Sequence, residues 1–216
     1  MHLPEVKVCG ITRIEDAENA LNLGASKLGF ILYNNSPRCI KFEDILRIKD
    51  DLDLQPDKMV AVQVEPKPSE LNKINEIGFG KVQLHFPYNL PIESVIEWSD
   101  IIGPDRLWLA PKLPNGVSFP KSILSLAETF LIDAYCEDKF GGTGKVSNWE
   151  SFYNWKNEFN SKEWVLAGGL SPDNIISAIN STGAQFLDVN SGVEKIAGIK
   201  DYAKMTEFFS NISSIF

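Results

Sequence analysis

Eight short apolar runs, each but a few followed by a stretch with helical spacing, recur from one end of the chain to the other. The runs cover residues 6–11, 27–32, 59–64, 81–85, 106–110, 129–133, 164–167 and 186–189. Each is too short for a buried helix and nearly unbroken in its hydrophobicity, the pattern of parallel strands covered on both faces. Strand and helix in alternation define the α/β class, and eight repeats are what a closed (β/α)8 (TIM) barrel requires. A doubly wound open sheet also alternates, but no GxGxxG follows the first strand. A barrel would gather the C-terminal strand ends on one face, where such barrels place their chemistry.

The helical stretches carry readable ends. Thr12-Arg13-Ile14-Glu15 has the spacing of a capping box, and the helix it opens is expected to stop at Gly24. Ser147-Asn148-Trp149-Glu150 repeats the signal, and Ser171-Pro172-Asp173 offers a cap, a proline in the first turn and an acid beside it. Further helices are expected over 44–51, 69–77 and 201–212, with shorter ones over 91–98 and 120–126. No boundary, repeat or low-complexity tract divides the chain, so residues 1–216 are expected to form one domain.

Charge and cysteine content narrow the partners. With 21 basic and 29 acidic residues the formal charge is −8, which opposes nucleic acid and anionic membranes. Any anionic ligand must then be held by local donors. Three cysteines (Cys9, Cys39, Cys136) without CxxC spacing suit a reducing compartment, and a cytoplasmic location is expected. The first strand begins too early for a signal peptide. No apolar run reaches the ~18 residues of a membrane span.

Several residues stand where chemistry would be placed. Lys7 and Cys9 share one face of the first strand; if Lys7 points into the barrel, Cys9 lies above it at the mouth, and the ammonium is expected to lower the thiol pKa. The alternative is an inert buried cysteine. Asp133 follows three large apolar residues at the end of the sixth strand, where partial burial would suit a general acid; a cap or a salt bridge is the other reading. Gly141-Gly142-Thr143-Gly144-Lys145 lies in a long connection, either an anion loop and lid over 135–146 or simply a flexible loop. Gly168-Gly169 and Ser191-Gly192 follow the seventh and eighth strands, where barrels often bind phosphate. Arg38 could fork onto a carboxylate or lie on the surface. His85 ends the fourth strand and reads as structural, and Asp188 on the eighth is the expected partner of Lys7.

Taken together, Lys7-Val8-Cys9-Gly10-Ile11-Thr12, Ser36-Pro37-Arg38, Val82-Gln83-Leu84-His85, Leu131-Ile132-Asp133, Phe140 through Lys145, Ala167-Gly168-Gly169-Leu170 and Asp188 through Glu194 resemble the phosphoribosylanthranilate isomerases of tryptophan biosynthesis. The resemblance runs in order through nearly the whole chain. It implies a (β/α)8 barrel that performs an Amadori rearrangement of N-(5-phosphoribosyl)anthranilate without metal or cofactor, as a monomer or homodimer. It further implies Cys9 as general base, Asp133 as general acid and Arg38 on the anthranilate carboxylate. Backbone amides around Gly142, Gly144, Gly168, Gly169, Ser191 and Gly192 would cradle the phosphate. The chain departs from the family at Phe86-Pro87, at Val62-Gln63-Val64, at Asn190 and at Ala197. A related histidine-pathway isomerase, with aspartate in place of Cys9, and a non-catalytic sugar-phosphate-binding barrel are the alternatives.

Overall fold

The computed structural model describes residues 3–114, 116–133 and 148–215. Its sheet is a closed parallel barrel of β1 (Glu5–Cys9), β2 (Lys27–Ile31), β3 (Met59–Val64), β4 (Lys81–Pro87), β5 (Leu107–Lys112), β6 (Thr129–Ile132), β7 (Glu163–Leu166) and β8 (Phe186–Val189), in sequence order, with β8 closing onto β1. Around it lie α1 (Ile14–Asn22), α2 (Phe42–Asp51), α3 (Pro68–Ile77), α4 (Ile92–Ile102), α5 (Trp149–Glu158), α6 (Ile175–Thr182) and α7 (Tyr202–Ser213). After β5 a 3-10 segment, Lys121–Leu126, stands where a helix is expected. A small antiparallel hairpin, β9 (Glu194–Ile196) and β10 (Ile199–Lys200), follows β8.

Two-residue alternation sorts every strand into an outer and an inner face. Val6, Val8, Leu28, Phe30, Met59, Ala61, Leu107, Leu109, Phe130 and Leu187 point outward and are buried under the helices. Val60, Val62, Trp108, Ala110, Leu131, Val165 and Phe186 fill the barrel interior, with Trp108 edge-on to Phe186 at 5.2 Å between centroids. Burial on both faces is the reason the strands read as continuous apolar runs.

One predicted cap is replaced by a tertiary contact, and another shifts by a residue. The Thr12 hydroxyl donates to the Gly198 carbonyl, and α1 begins after Arg13 without a side-chain cap. The cap of α5 is Asn148, whose side chain accepts from the Ser151 amide at 3.1 Å. Asp201 caps α7 by accepting from the amides of Ala203 and Lys204. At the departure in β4, Phe86 is buried against Trp98 at 5.6 Å between centroids, and the strand continues through Pro87.

Candidate active site

β1 positions Lys7 and Cys9 on its inner face, one above the other. Gly29, paired with Cys9 on β2, makes room for them: a Cβ there would lie 2.8 Å from Lys7 Cε and 2.9 Å from Cys9 Sγ. Lys7 has no exposed surface. Its ammonium donates to Asp188 Oδ1 at 2.8 Å and to Gln83 Oε1 at 2.8 Å, and Lys7 and Asp188 are register partners across the barrel seam. A buried cation is tolerated only when paired in this way.

Gln83 transmits that fixed charge to the mouth. With its oxygen on Lys7, its amide nitrogen faces His85 Nε2 at 2.7 Å and donates to it, placing the ring proton of His85 on Nδ1. Burial, reinforced by the Lys7 charge, lowers the His85 pKa to about 3, so the imidazole stays neutral. For Lys7, burial alone would lower the pKa, but Asp188 and Cys9 outweigh it and hold the ammonium above its ordinary value.

The cysteine departs from expectation. Cys9 is only 4% exposed, and burial raises its thiol pKa. Lys7 and Lys200 pull it back in part, so the lysine effect read from the sequence is present but burial outweighs it.

Cys9, Arg38, His85, Asp133, Asp188, Gly168, Gly169 and Ser191 line one cleft at the C-terminal ends of the strands. Asp133, half-buried, follows β6 on the inward side set by Thr129 and Leu131. The loops after β7 and β8 meet at the far wall. Gly192 does not line the cleft but lies behind it: a Cβ there would come within 1.9 Å of the Leu170 carbonyl oxygen. Gly168 and Gly169 have φ of 89° and 66°, in the left-handed region open to glycine. Gly142 and Gly144, with the expected lid over 135–146, lie outside the described residues.

Arg38 is not a free surface arginine. Its Nε donates to Glu194 Oε1 at 2.9 Å and its Nη2 to Glu194 Oε2 at 2.7 Å. Glu194 also accepts from Lys200 Nζ at 3.0 Å and from the Gly198 amide at 3.2 Å. Burial alone would raise the Glu194 carboxyl, but hydrogen bonds from Arg38 and Lys200 and the charge of Lys200 hold it below its ordinary value. Lys200 further donates to Asn190 Oδ1 at 2.9 Å, so Asn190 ties the hairpin to the cleft wall.

Sequence reasoning missed Glu194, Lys200 and Asn190 as parts of the site. The signals are that Glu194 closes the run that begins at Asp188, that Asn190 is a departure from the family, and that Glu194 and Lys200 are opposite charges at the two ends of one short hairpin. Val62 and Val64, at the third-strand departure, line the cleft, while Gln63 turns outward and donates to the Leu32 carbonyl at 3.3 Å. Among the described residues no cluster of three or more His, Cys, Asp or Glu side chains could hold a metal ion. Nor is any described helix long and apolar enough to cross a membrane.

A cleft with a buried thiol, a carboxylate and an arginine, walled by two glycine-bearing loops, can host proton transfers on an anionic ligand. Residues 6–211 match the family model for N-(5'phosphoribosyl)anthranilate (PRA) isomerase. The N-(5'-phosphoribosyl)anthranilate isomerase of Gloeothece citriformis is 34% identical over 211 residues, covering 96% of this chain and 93% of that protein. The structure of mutually generated monomers of the dimeric enzyme from Thermotoga maritima superposes with a TM-score of 0.74 at 30% identity, covering 97% of this chain and 98% of that one. An isomerase in complex with reduced 1-(o-carboxyphenylamino)-1-deoxyribulose 5-phosphate superposes equally well, with a TM-score of 0.74, 30% identity and 98% and 99% coverage. The chain therefore belongs to the phosphoribosylanthranilate isomerase family and is an isomerase of tryptophan biosynthesis.

Proposed function

We propose that Cys9 and Asp133 carry the two proton transfers by which N-(5'-phosphoribosyl)anthranilate becomes 1-(o-carboxyphenylamino)-1-deoxyribulose 5-phosphate. The observation that carries this reading is that a thiol and a carboxylate from opposite parts of the chain line one cleft on the inward faces of β1 and β6. Asp133 gives its proton to the furanose ring oxygen; the ring C–O bond breaks and the nitrogen lone pair forms the Schiff base. Cys9, as thiolate, takes the C2′ proton, and the electron pair moves to give the enolamine, which tautomerises to the ketone. A thiol raised by burial is a stronger base once ionised. Lys7 and Lys200 are the charges that favour its ionisation.

Arg38 would meet the anthranilate carboxylate. The amides of Gly168, Gly169 and Ser191, with Gly192 holding the two loops together and Gly142 and Gly144 contributing from the preceding connection, would bind the phosphate. Holding both ends of the substrate orients the reacting atoms before the chemistry begins. The reduced-product complex of a relative supports a ligand of this kind. The working unit is a monomer or homodimer acting in the cytoplasm on a small sugar phosphate.

Turnover is measured as loss of anthranilate fluorescence. Cys9→Ala and Asp133→Asn should each reduce it by about 10²–10⁴-fold while leaving binding of the reduced product analogue nearly intact. Near-normal turnover of either variant overturns its role. Ligand binding without turnover in the unmodified protein would favour the non-catalytic barrel.

A further inference from the structure

We propose that Glu194 is a positioning residue that presents the terminal edge of the Arg38 guanidinium to the substrate's carboxylate. This rests on the reading of Arg38 as the carboxylate-binding residue.

A guanidinium is planar and offers two edges that can each take a carboxylate by two parallel hydrogen bonds. Glu194 occupies the side edge, through Nε and Nη2, with contacts of 2.7, 2.9 and 3.1 Å. What remains for a ligand is the terminal edge, formed by Nη1 and the outer N–H of Nη2. Because the group is flat, fixing one edge fixes the direction of the other.

The support for Glu194 is itself rigid. Its side chain is 4% exposed, and that of Arg38 is 12% exposed. Lys200, whose side chain has no exposed surface, and the Gly198 amide hold the carboxylate from the opposite side. The Arg38 stem passes over Gly10, where an added Cβ would lie 2.9 Å from Arg38 Cδ. The hairpin β9–β10 thus works as a brace that meets the cleft arginine with a full fork.

Charge counting and positioning make opposite forecasts. Arg38 and Lys200 against Glu194 leave a single positive charge. Glu194→Gln would raise it to two, and electrostatics alone would then tighten binding of an anion. If Glu194 acts by aiming Arg38, the same change loosens it.

The test is calorimetry with two ligands, the reduced 1-(o-carboxyphenylamino)-1-deoxyribulose 5-phosphate and ribulose 5-phosphate, which lacks the aromatic carboxylate. Glu194→Gln and Arg38→Ala should each weaken the first ligand by about tenfold or more. Both should leave the second within about twofold, and the double variant should bind the first no worse than Arg38→Ala alone. In turnover, Glu194→Gln should raise KM with little change in kcat. Unchanged or tighter binding of the first ligand by Glu194→Gln overturns the proposal. So does equal weakening of both ligands, which marks a general loosening of the mouth, or an added loss in the Arg38→Ala background. If Arg38→Ala itself binds normally, the assignment of Arg38 falls and the proposal with it. If Glu194→Gln does not fold, Glu194→Asp, which keeps the charge but withdraws the carboxylate, is read against the same outcomes.

Discussion

Burying an ammonium is unfavourable by several kcal/mol unless charge and hydrogen bonds are supplied to it, and breaking a buried pair typically costs about 3–5 kcal/mol. Lys7 meets that demand with Asp188 and Gln83. The pairing reaches on to His85: Gln83 cannot turn around without losing Lys7, so His85 is presented with a donor and a nearby positive charge. Burial opposes protonation most, the Lys7 charge adds to it, and its pKa falls to about 3. The unfolded chain, with histidine near its ordinary 6.5, binds a proton that the native state refuses. Below pH 6.5 that difference favours unfolding, so the contribution of His85 is fully present above 6.5 and is lost as pH falls toward 3. The limiting slope is about 1.4 kcal/mol per pH unit for one proton, reduced by the exposed edge of the ring at the cleft. Urea midpoints of the wild type and His85→Asn should therefore converge or cross between pH 7 and 4.5. A constant gap over that range would mean that His85 is not held neutral.

At the level of elements, the strands were legible because each is short, apolar on both faces and bounded by polar segments; β3 and β8 match their expected limits residue for residue. Helix ends were less so. The Thr12 hydroxyl has the spacing of a cap, but Gly198, distant in sequence, takes it. The stretch after β5 is only six residues long, and it closes as a 3-10 segment. The loops after β7 and β8 show what an element boundary does for a site. Their approach depends on Gly192, since any side chain there meets the Leu170 carbonyl. Gly192→Ala must push the two loops apart, a strain of roughly 1–3 kcal/mol. It should weaken ribulose 5-phosphate by about tenfold, read by calorimetry, while Cys9 and Asp133 keep their places. Unchanged affinity would show that the loop amides do not form the phosphate cradle.

Across the whole molecule, the parts of the site on strands could be read from alternation, whereas those joined by long-range ion pairs could not. Lys7, Cys9, Asp133 and Asp188 follow from strand faces; the link from Arg38 to Glu194 exists only because the hairpin after β8 folds back over the first two strands. Net charge is also a property of the whole, and it bears on ligand capture. A formal charge of −8 on a protein of ~17 Å radius of gyration repels an anionic substrate at a distance. Arg38 acts at hydrogen-bond range, where salt has little effect. Raising NaCl from about 10 to 150 mM shortens the Debye length from roughly 30 to 8 Å. That screens the distant repulsion and spares the near attraction, so kcat/KM should hold or rise modestly. The sign is the same whether capture or chemistry limits the rate, because both scale with the concentration of anion at the mouth. Sulfate and phosphate must be kept out of the buffer, since they compete for the loop amides. A steep fall of kcat/KM with NaCl would mean that a positive field reaches beyond the mouth, and that local donors are not what draws the substrate in.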